Sequence, residues 1–352
     1  MKTFRALERH LGLVPAALLR QVSEIDVARG REEVYRRQNP EALRTLVAVA
    51  RIQSVEASNA IENVVAPPKR IRELVEEKTT PRNLSEAEIA GYRGVLDLIH
   101  SSAAHVPFRP SVVEQLHRDL YQFTAVPAGR WKALDSTVTE ERPGGEVVAR
   151  FTPVNALETP AAMDELHERL LDAWESSSYH RLLLTGAYVL DFLVIHPFAD
   201  GNGRMARLLT LLLLYQAGYE VGRFVSLERL IEQTRETYYE ALAASTAGWH
   251  DGEHSLQPWL SYFLGVLVRA YADFEERVGA VAGGRGAKAE AIRSFVRSRA
   301  TARLTVEDVR RAVPAASDVY IREVLRKLRD QGALRQIGRG PRASWERVNT
   351  DF

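Results

Sequence analysis

The chain has 352 residues, of which 47 are Lys or Arg and 46 are Asp or Glu, and it contains no cysteine. This length predicts two or three domains with an ample core, and the absence of cysteine excludes disulfides, thiolate metal sites and a cysteine nucleophile. No apolar stretch approaches the ~20 residues of a membrane span, and the first residues carry charges where a signal segment would be apolar. We therefore expect a cytoplasmic protein without a membrane partner.

Helical periodicity dominates the sequence and predicts a mainly α fold. Residues 1–94 are predicted to be an N-terminal helical region, with turns at Pro15, Asn39-Pro40, Pro67-Pro68 and Pro81. Further along, the segment Ala128–Lys132, a polar stretch with Pro143-Gly144-Gly145, and Phe151-Thr152-Pro153 together predict a β-hairpin.

The most informative segment is residues 196–207. An apolar run, Tyr188–Ile195, predicts a buried helix that ends at Pro197, which leaves His196 at the helix terminus. The turn Gly201-Asn202-Gly203 then opens a predicted helix, Arg204–Ala217, closed by Gly218. Free backbone N–H groups and the positive end of the helix dipole meet at such a turn, so we predict an anion site that suits phosphate.

The side chains around this turn fit a nucleotide-phosphate site. Arg204 and Arg207 stand three residues apart on the helix, where their guanidinium groups can grip phosphate oxygens. Asp200 offers one hard oxygen ligand, which suffices for Mg²⁺ beside phosphates, and His196 has the near-neutral pKa of a general base. Each feature alone is more often structural, but their combination within twelve residues favours the site.

The segment resembles the signature of Fic-domain proteins of the Fic/DOC family, His-x-Phe-x-Asp/Glu-Gly-Asn-Gly-Arg-x-x-Arg. The resemblance implies a Fic helical core with a β-hairpin flap, and it makes residues 95–281 the expected Fic catalytic domain. It also implies a protein adenylyltransferase that moves AMP from ATP to a hydroxyl of Ser, Thr or Tyr in a target protein. The chain itself is one of the expected targets. The plain alternative for the hairpin is an ordinary surface element.

The same resemblance assigns roles to single residues. His196 would deprotonate the target hydroxyl, and Asp200 would hold Mg²⁺ between the α- and β-phosphates. The remaining residues of the ATP site would be the phosphate cradle, the arginines on the β- and γ-phosphates, and two tyrosines near the adenine: Gly201, Asn202, Gly203, Arg204, Arg207, Tyr238 and Tyr239. The kinase branch of the superfamily typically carries Lys where this chain has Gly203, which favours nucleotidyl transfer. Thr234 occupies a position where an Asn is common.

A second segment, Ser54–Asn63, resembles the inhibitory helix motif of the same family, with Ser58, Glu62 and Asn63 at its specified places. Ser58 and Glu62 are four residues apart and share one helical face. We expect Glu62 to pair with Arg207 and fill the space of the γ-phosphate, which would hold basal activity low. The alternative is an ordinary amphipathic helix with an exposed Glu, and the sequence leaves open whether the chain also removes AMP.

The C-terminal residues 286–352 are basic, with 15 Lys and Arg against 8 Asp and Glu, while the rest of the chain has a net charge of −6. After a Gly-rich linker at 282–286, the order of predicted elements resembles a winged helix-turn-helix, with Ser317–Asp330 as recognition helix and Arg339 and Arg342 in the wing. DNA is therefore a predicted partner. The same fold also serves protein docking, so a homodimer is an alternative. The competing function is a DNA-binding transcriptional regulator that uses the Fic unit as a nucleotide sensor.

Overall fold

The structure is a computed structural model that describes residues 1–38, 40–141, 147–282, 289, 292–293, 295–297, 303–313, 316–338 and 344–348. The chain divides into two compact units, Met1–Phe274 and Glu275–Phe352. The predicted boundary between residues 94 and 95 falls inside the first unit, and residues 283–286 of the predicted linker lie outside the described residues.

The first unit is mainly helical, as predicted. Its helices are α1 (Lys2–Arg5), α2 (Leu7–Leu11), α3 (Ala16–Gln38), α4 (Pro40–Ile61), α5 (Pro68–Arg72), α6 (Leu84–Ser102), α7 (Pro110–Leu120), α8 (Thr159–Ser176), α9 (Arg181–Ile195), α10 (Asn202–Gln216), α11 (Leu227–Gln233), α12 (Arg235–Thr246) and α13 (Gln257–Ala282), which continues past the unit boundary. A π-helical turn, Glu73–Glu77, follows α5, and two short 3₁₀ turns are Ala103–His105 and Val221–Arg223.

Helix α9 forms the centre of this unit. All its residues from Leu182 to Ile195 are buried, as expected for a helix that is apolar on every side. It packs against α8 and α10, while Thr3 of α1 donates a hydrogen bond of 2.6 Å to the buried Asp191 of α9. The loop between α9 and α10 is therefore anchored at both ends in the core.

The predicted hairpin is present as two antiparallel strands, β1 (Val138–Glu141) and β2 (Val147–Phe151), with Val138 opposite Phe151. The predicted bounds were too wide, because Ala128–Lys132 and Thr152-Pro153 lie outside both strands. Strand β2 lies beside α12. The predicted turn residues Pro143-Gly144-Gly145 lie outside the described residues.

Helix α4 packs against α6 and α11 in the same unit. Its amphipathic pattern buries residues such as Ala50, Val55 and Ile61 on one side. In the described part of the chain, every helix falls short of the length and apolarity that a membrane crossing requires.

The second unit contains α14 (Val306–Ala312), α15 (Asp318–Asp330), β3 (Leu334–Ile337) and β4 (Ser344–Arg347), and Leu304 forms a bridge to Trp345 of β4. Its core is apolar and includes Ile292, Val309, Ile321, Leu325 and Trp345. The order of elements agrees with the sequence prediction, while the winged helix-turn-helix assignment stays a prediction. Only part of the predicted helix at 288–299 is described, and Arg339 and Arg342 lie outside the described residues.

Candidate active site

The loop between α9 and α10 is shaped by its backbone. His196 ends α9 in the left-handed region with φ 50°, and Gly201 takes φ 79° immediately before α10. The Asn202 side chain closes the loop, because its Oδ1 accepts from the Phe198 N–H at 2.9 Å and its Nδ2 donates to the Phe198 carbonyl at 2.8 Å. Asn202 thus contributes to the predicted anion cradle through its backbone N–H, while its side chain fixes the turn.

His196 is prepared to accept a proton. Its Nδ1 lies 3.3 Å from the carbonyl of Leu193, so Nδ1 carries the hydrogen and Nε2 keeps a free lone pair. Burial lowers the pKa of His196 to about 4, below the near-neutral value expected from the sequence. The imidazole is therefore neutral near pH 7, but it is a weaker base than the sequence predicted. The edge of the Phe151 ring from β2 packs beside it, with 6.0 Å between ring centroids.

Asp200 is the exposed acid of the loop, with 72% of its side chain accessible. Its Oδ1 accepts from the Gly201 N–H at 2.7 Å, and its Oδ2 accepts from the Tyr121 hydroxyl at 2.7 Å. Burial raises the pKa of Tyr121, so the hydroxyl keeps the proton that it donates. One exposed carboxylate beside an anion cradle fits Mg²⁺, which takes one or two protein carboxylates together with water and phosphate oxygens.

His117 of α7 contacts the loop between α9 and α10 and helps to fix its backbone. Its Nδ1 accepts from the Gly129 N–H at 3.0 Å, so its Nε2 donates to the Asp200 carbonyl at 3.0 Å. Its ring stacks on Phe198, with centroids 3.7 Å apart and planes 1° from parallel. The two contacts hold the backbone that carries the predicted metal ligand.

The two motif arginines point to different partners, because side chains three apart on a helix diverge by about 60°. Arg207 turns toward α4, where its Nε donates to Ser58 Oγ at 2.8 Å and its Nη2 to the Ser58 carbonyl at 2.8 Å. Arg204 turns toward α6 and pairs with Glu88 at 2.5 Å. Of the two, only Arg207 lines the cleft, and binding of phosphate by Arg204 stays a prediction.

The C-terminal end of α4 brings Glu62 to Arg207, with Oε1 2.8 Å from Nη2. Asn63 follows with φ 59°, its N–H bonds to the Ala60 carbonyl, and the Val64 N–H bonds to the Asn59 carbonyl. These bonds form a Schellman motif, whose αL position suits Gly or Asn. The left-handed backbone at this position therefore explains why Asn63 is the last residue of the predicted inhibitory motif.

Glu62 also lies against Gly201-Asn202-Gly203, the turn predicted to bind phosphate. Its Oε1 is only 2.2 Å from where a Cβ on Gly203 would be, so a residue with a side chain at 203 would displace the carboxylate. Only glycine allows this approach without a shift.

A cleft of about 720 Å³, counted to its open mouth, joins these groups. This size is in the range of small-molecule sites. Its wall includes Glu62, His196, Gly203, Arg207, Tyr238 and Tyr239, together with Leu242 and Thr246 of α12.

Residues 107–214, which span α7 to α10 and the whole loop, match the family model described as Fic/DOC family. The chain contains a Fic/DOC domain. Proteins with this domain are typically transferases that move nucleotides to proteins.

Solved structures of Fic proteins share the fold. A Fic family protein from Desulfovibrio desulfuricans is 22% identical, with a TM-score of 0.63, over 97% of this chain and 98% of its own. A Fic domain containing signaling protein from Bacteroides thetaiotaomicron is 20% identical, with a TM-score of 0.59, over 75% of this chain and 98% of its own. Fic-1 from C. elegans is 21% identical, with a TM-score of 0.55, over 73% of this chain and 72% of its own.

Some residues of the Fic site were not found by sequence reasoning. Thr234, singled out as the departure near the base, instead bonds to the Leu230 carbonyl and the Tyr262 hydroxyl, both at 2.8 Å, and Thr246 is the threonine that lines the cleft. His117 and Tyr121 also escaped notice. Their spacing of four, with His117 on α7 and Tyr121 immediately after it, was the available signal.

Proposed function

We propose that this chain is a protein adenylyltransferase that transfers AMP from ATP to a hydroxyl of a Ser, Thr or Tyr on a target protein. The observation that carries the proposal is the convergence of three groups on one turn. A neutral His196, an exposed Asp200 and the guanidinium of Arg207 surround the backbone that opens α10. This set supplies a base, a metal ligand and an anion partner within one loop.

The reaction follows from the positions of these groups. The target hydroxyl loses its proton to Nε2 of His196 while its oxygen attacks the α-phosphorus of ATP. The bond between the α-phosphorus and the bridging oxygen to the β-phosphate breaks, and pyrophosphate leaves. The N-terminal turn of α10 stabilises the phosphate charge by its free N–H groups and its dipole. Asp200 would hold Mg²⁺, which would neutralise charge on the leaving phosphates.

The same geometry supports autoinhibition by Glu62. Arg207 is 4% exposed and already engages Ser58 and Glu62, so a γ-phosphate must displace the carboxylate to reach the guanidinium. ATP bound beside an intact pair lacks this contact, and its α-phosphate is not aligned for attack.

The test uses ATP labelled with ³²P at the α-phosphate. We expect Glu62→Gly protein to label itself or an added lysate, the unsubstituted protein to label weakly, and the double variant with His196→Ala not to label. Mass spectrometry should find an added AMP on a hydroxyl. Equal labelling with and without His196 would rule out this mechanism. Label transferred only from ATP labelled at the γ-phosphate would indicate phosphorylation.

A second proposal concerns DNA binding by the C-terminal unit. Helix α15 buries Ile321, Leu325 and Leu328, and beside this face it presents Arg322, Arg326 and Arg329 at positions i, i+4 and i+7. Such a basic stripe suits contacts to phosphates. Deletion from residue 286 should abolish a DNA affinity that falls steeply with salt, while labelling survives. A truncated protein that binds DNA equally well would refute this role.

A further inference from the structure

Arg204 is held inside the protein by Glu88 of α6, whereas Glu62 pairs with Arg207. Its side chain is 2% exposed, and its Nη1 lies 2.5 Å from Oε2 of Glu88, which is itself 12% exposed. Its Nη2 donates to the Tyr121 hydroxyl at 2.7 Å and lies 3.6 Å from Asp200 Oδ2. If the guanidinium turned to a phosphate, it would leave the largely buried carboxylate of Glu88 without this partner, which is unfavourable.

Hydrogen bonds lead from Arg204 through the Tyr121 hydroxyl to Asp200. Because the Tyr121 hydroxyl accepts from Arg204, its own proton is free to point to Asp200, and it does so at 2.7 Å. Arg204 also lies over the Tyr121 ring, with its Cζ 5.2 Å from the centroid, which holds the ring in place. The Gly201 N–H fixes the second carboxylate oxygen. Both oxygens of Asp200 are therefore oriented while its side chain stays open to solvent.

We propose that Glu88, Arg204 and Tyr121 form a buried positioning chain that orients Asp200 as the metal ligand. Arg204 then acts through Tyr121 and does not contact the phosphates. The inference rests on the proposed function, since it concerns how the carboxylate that would hold Mg²⁺ is oriented. It differs from the role that the motif alone suggests, which is direct binding of the β-phosphate.

The two roles separate in a binding experiment. A direct phosphate ligand contributes to nucleotide affinity with or without metal, whereas a positioning chain contributes only when a metal is bound. ADP is a suitable probe, because it lacks the γ-phosphate that competes with Glu62. Mn²⁺ replaces Mg²⁺ and is counted by electron paramagnetic resonance in the full-length protein with ADP. Metal-free ADP affinity is measured by calorimetry with a chelator present.

The variants are Tyr121→Phe and Arg204→Lys, singly and together. Partners that orient a metal ligand typically change metal affinity by 10- to 100-fold, so we expect Mn²⁺ to bind roughly 10-fold more weakly in Tyr121→Phe. Metal-free ADP affinity should stay unchanged. The double variant should lose little more than either single one, because both break the same chain. Tyr121→Phe keeps the ring, so it serves as the decisive variant if Arg204→Lys does not fold.

The matched control is Tyr219→Phe. The Tyr219 hydroxyl also donates to a carboxylate, Asp26 Oδ1 at 2.5 Å, but these residues line a different surface cleft. The control should leave Mn²⁺ affinity unchanged. A parallel fall of metal-free ADP affinity in Arg204→Lys would show a direct phosphate contact and overturn the inference, as would unchanged Mn²⁺ affinity in Tyr121→Phe. If Glu62→Gly protein does not label but still binds Mn²⁺ as expected, the proposed adenylyl transfer is refuted, while the inference about the orientation of Asp200 stands.

Discussion

Removal of the Glu62 carboxylate should raise activity and lower stability at the same time. In Glu62→Gly, Arg207 keeps its two bonds to Ser58 but loses a charge-assisted bond of 2.8 Å. Such a bond contributes about 1.5 to 3 kcal/mol, and the third of the Glu62 side chain that is exposed reduces this through solvent screening. The carboxylate also sits at the C-terminal end of α4, where the helix dipole opposes it by about 0.3 to 1 kcal/mol.

The net loss of stability is then about 1 to 2 kcal/mol, which at roughly 2 to 4 °C per kcal/mol lowers the Tm by about 2 to 8 °C. The released guanidinium gains the γ-phosphate as a partner. At 1.4 kcal/mol per factor of ten, a bond of this kind raises the rate of transfer by roughly 10- to 100-fold.

The assay compares initial rates of self-labelling and thermal midpoints for four proteins: the unsubstituted chain, Glu62→Gly, Arg207→Ala and the double variant. The double variant should lose most of the gain, because the freed arginine is what aligns ATP, and the two changes should be strongly non-additive. Glu56→Ala is the control. It removes a carboxylate from the same helix, where Glu56 pairs with Arg229 of α11 at 2.5 Å, and it should lower the Tm without raising the rate.

Two results would refute this reasoning. An unchanged rate in Glu62→Gly, with ATP affinity also unchanged, would make Glu62 an ordinary helix residue. A full gain that persists in the double variant would mean that release acts through the mobility of α4, without a contribution from Arg207.

Four further predictions concern the loop and the histidines. His196→Ala should abolish transfer yet leave ATP affinity nearly intact, because the imidazole acts on the hydroxyl; an equal loss of affinity measured by calorimetry would contradict this role. Asp200→Ala should remove the dependence of nucleotide affinity on Mg²⁺, and full metal-supported activity in this variant would refute the assignment as metal ligand. With a pKa of about 4, His196 stays neutral down to about pH 5, so the rate should fall only near pH 4 and not near 6.5. Stability should decline earlier, as the pH falls from about 6.5 toward 4, because the unfolded chain takes up protons near pH 6.5 while burial lowers the pKa of five folded-state histidines to about 3 or 4. These histidines are His100, His117, His167, His196 and His254. A Tm unchanged between about pH 7 and 5 would contradict this prediction.

Local features of the site were predictable from the sequence because they depend on neighbours in the chain. The end of α9 at His196 follows from Pro197, and the start of α10 follows from Gly201. The pairing of Glu62 with Arg207 spans 145 residues and was predicted only because two motifs of one family met in the same chain. The hairpin was predicted from its turn residues, and the order of elements in the second unit from the helices and turns along the sequence.

The direction of Arg204 was not predictable in this way. Sequence spacing places Arg204 and Arg207 on neighbouring positions, but Glu88, which determines where Arg204 points, lies 116 residues earlier on α6. Likewise, Thr234 and Thr246 are both near the aromatic pair in sequence, and the break between α11 and α12 decides which of them reaches the cleft. Tertiary packing sets both outcomes, and neither periodicity nor a motif records it.

The close approach of Glu62 to Gly203 has a consequence for how such a protein can evolve. Position 203 belongs to the phosphate turn, but the space above it is filled by a residue from a distant helix. A substitution there would alter the nucleotide site and expel the carboxylate in one mutational step. Under the proposed function, descendants that acquire a new donor preference through position 203 would lose the restraint by Glu62 in the same step. Control and chemistry would then be inherited as a single trait.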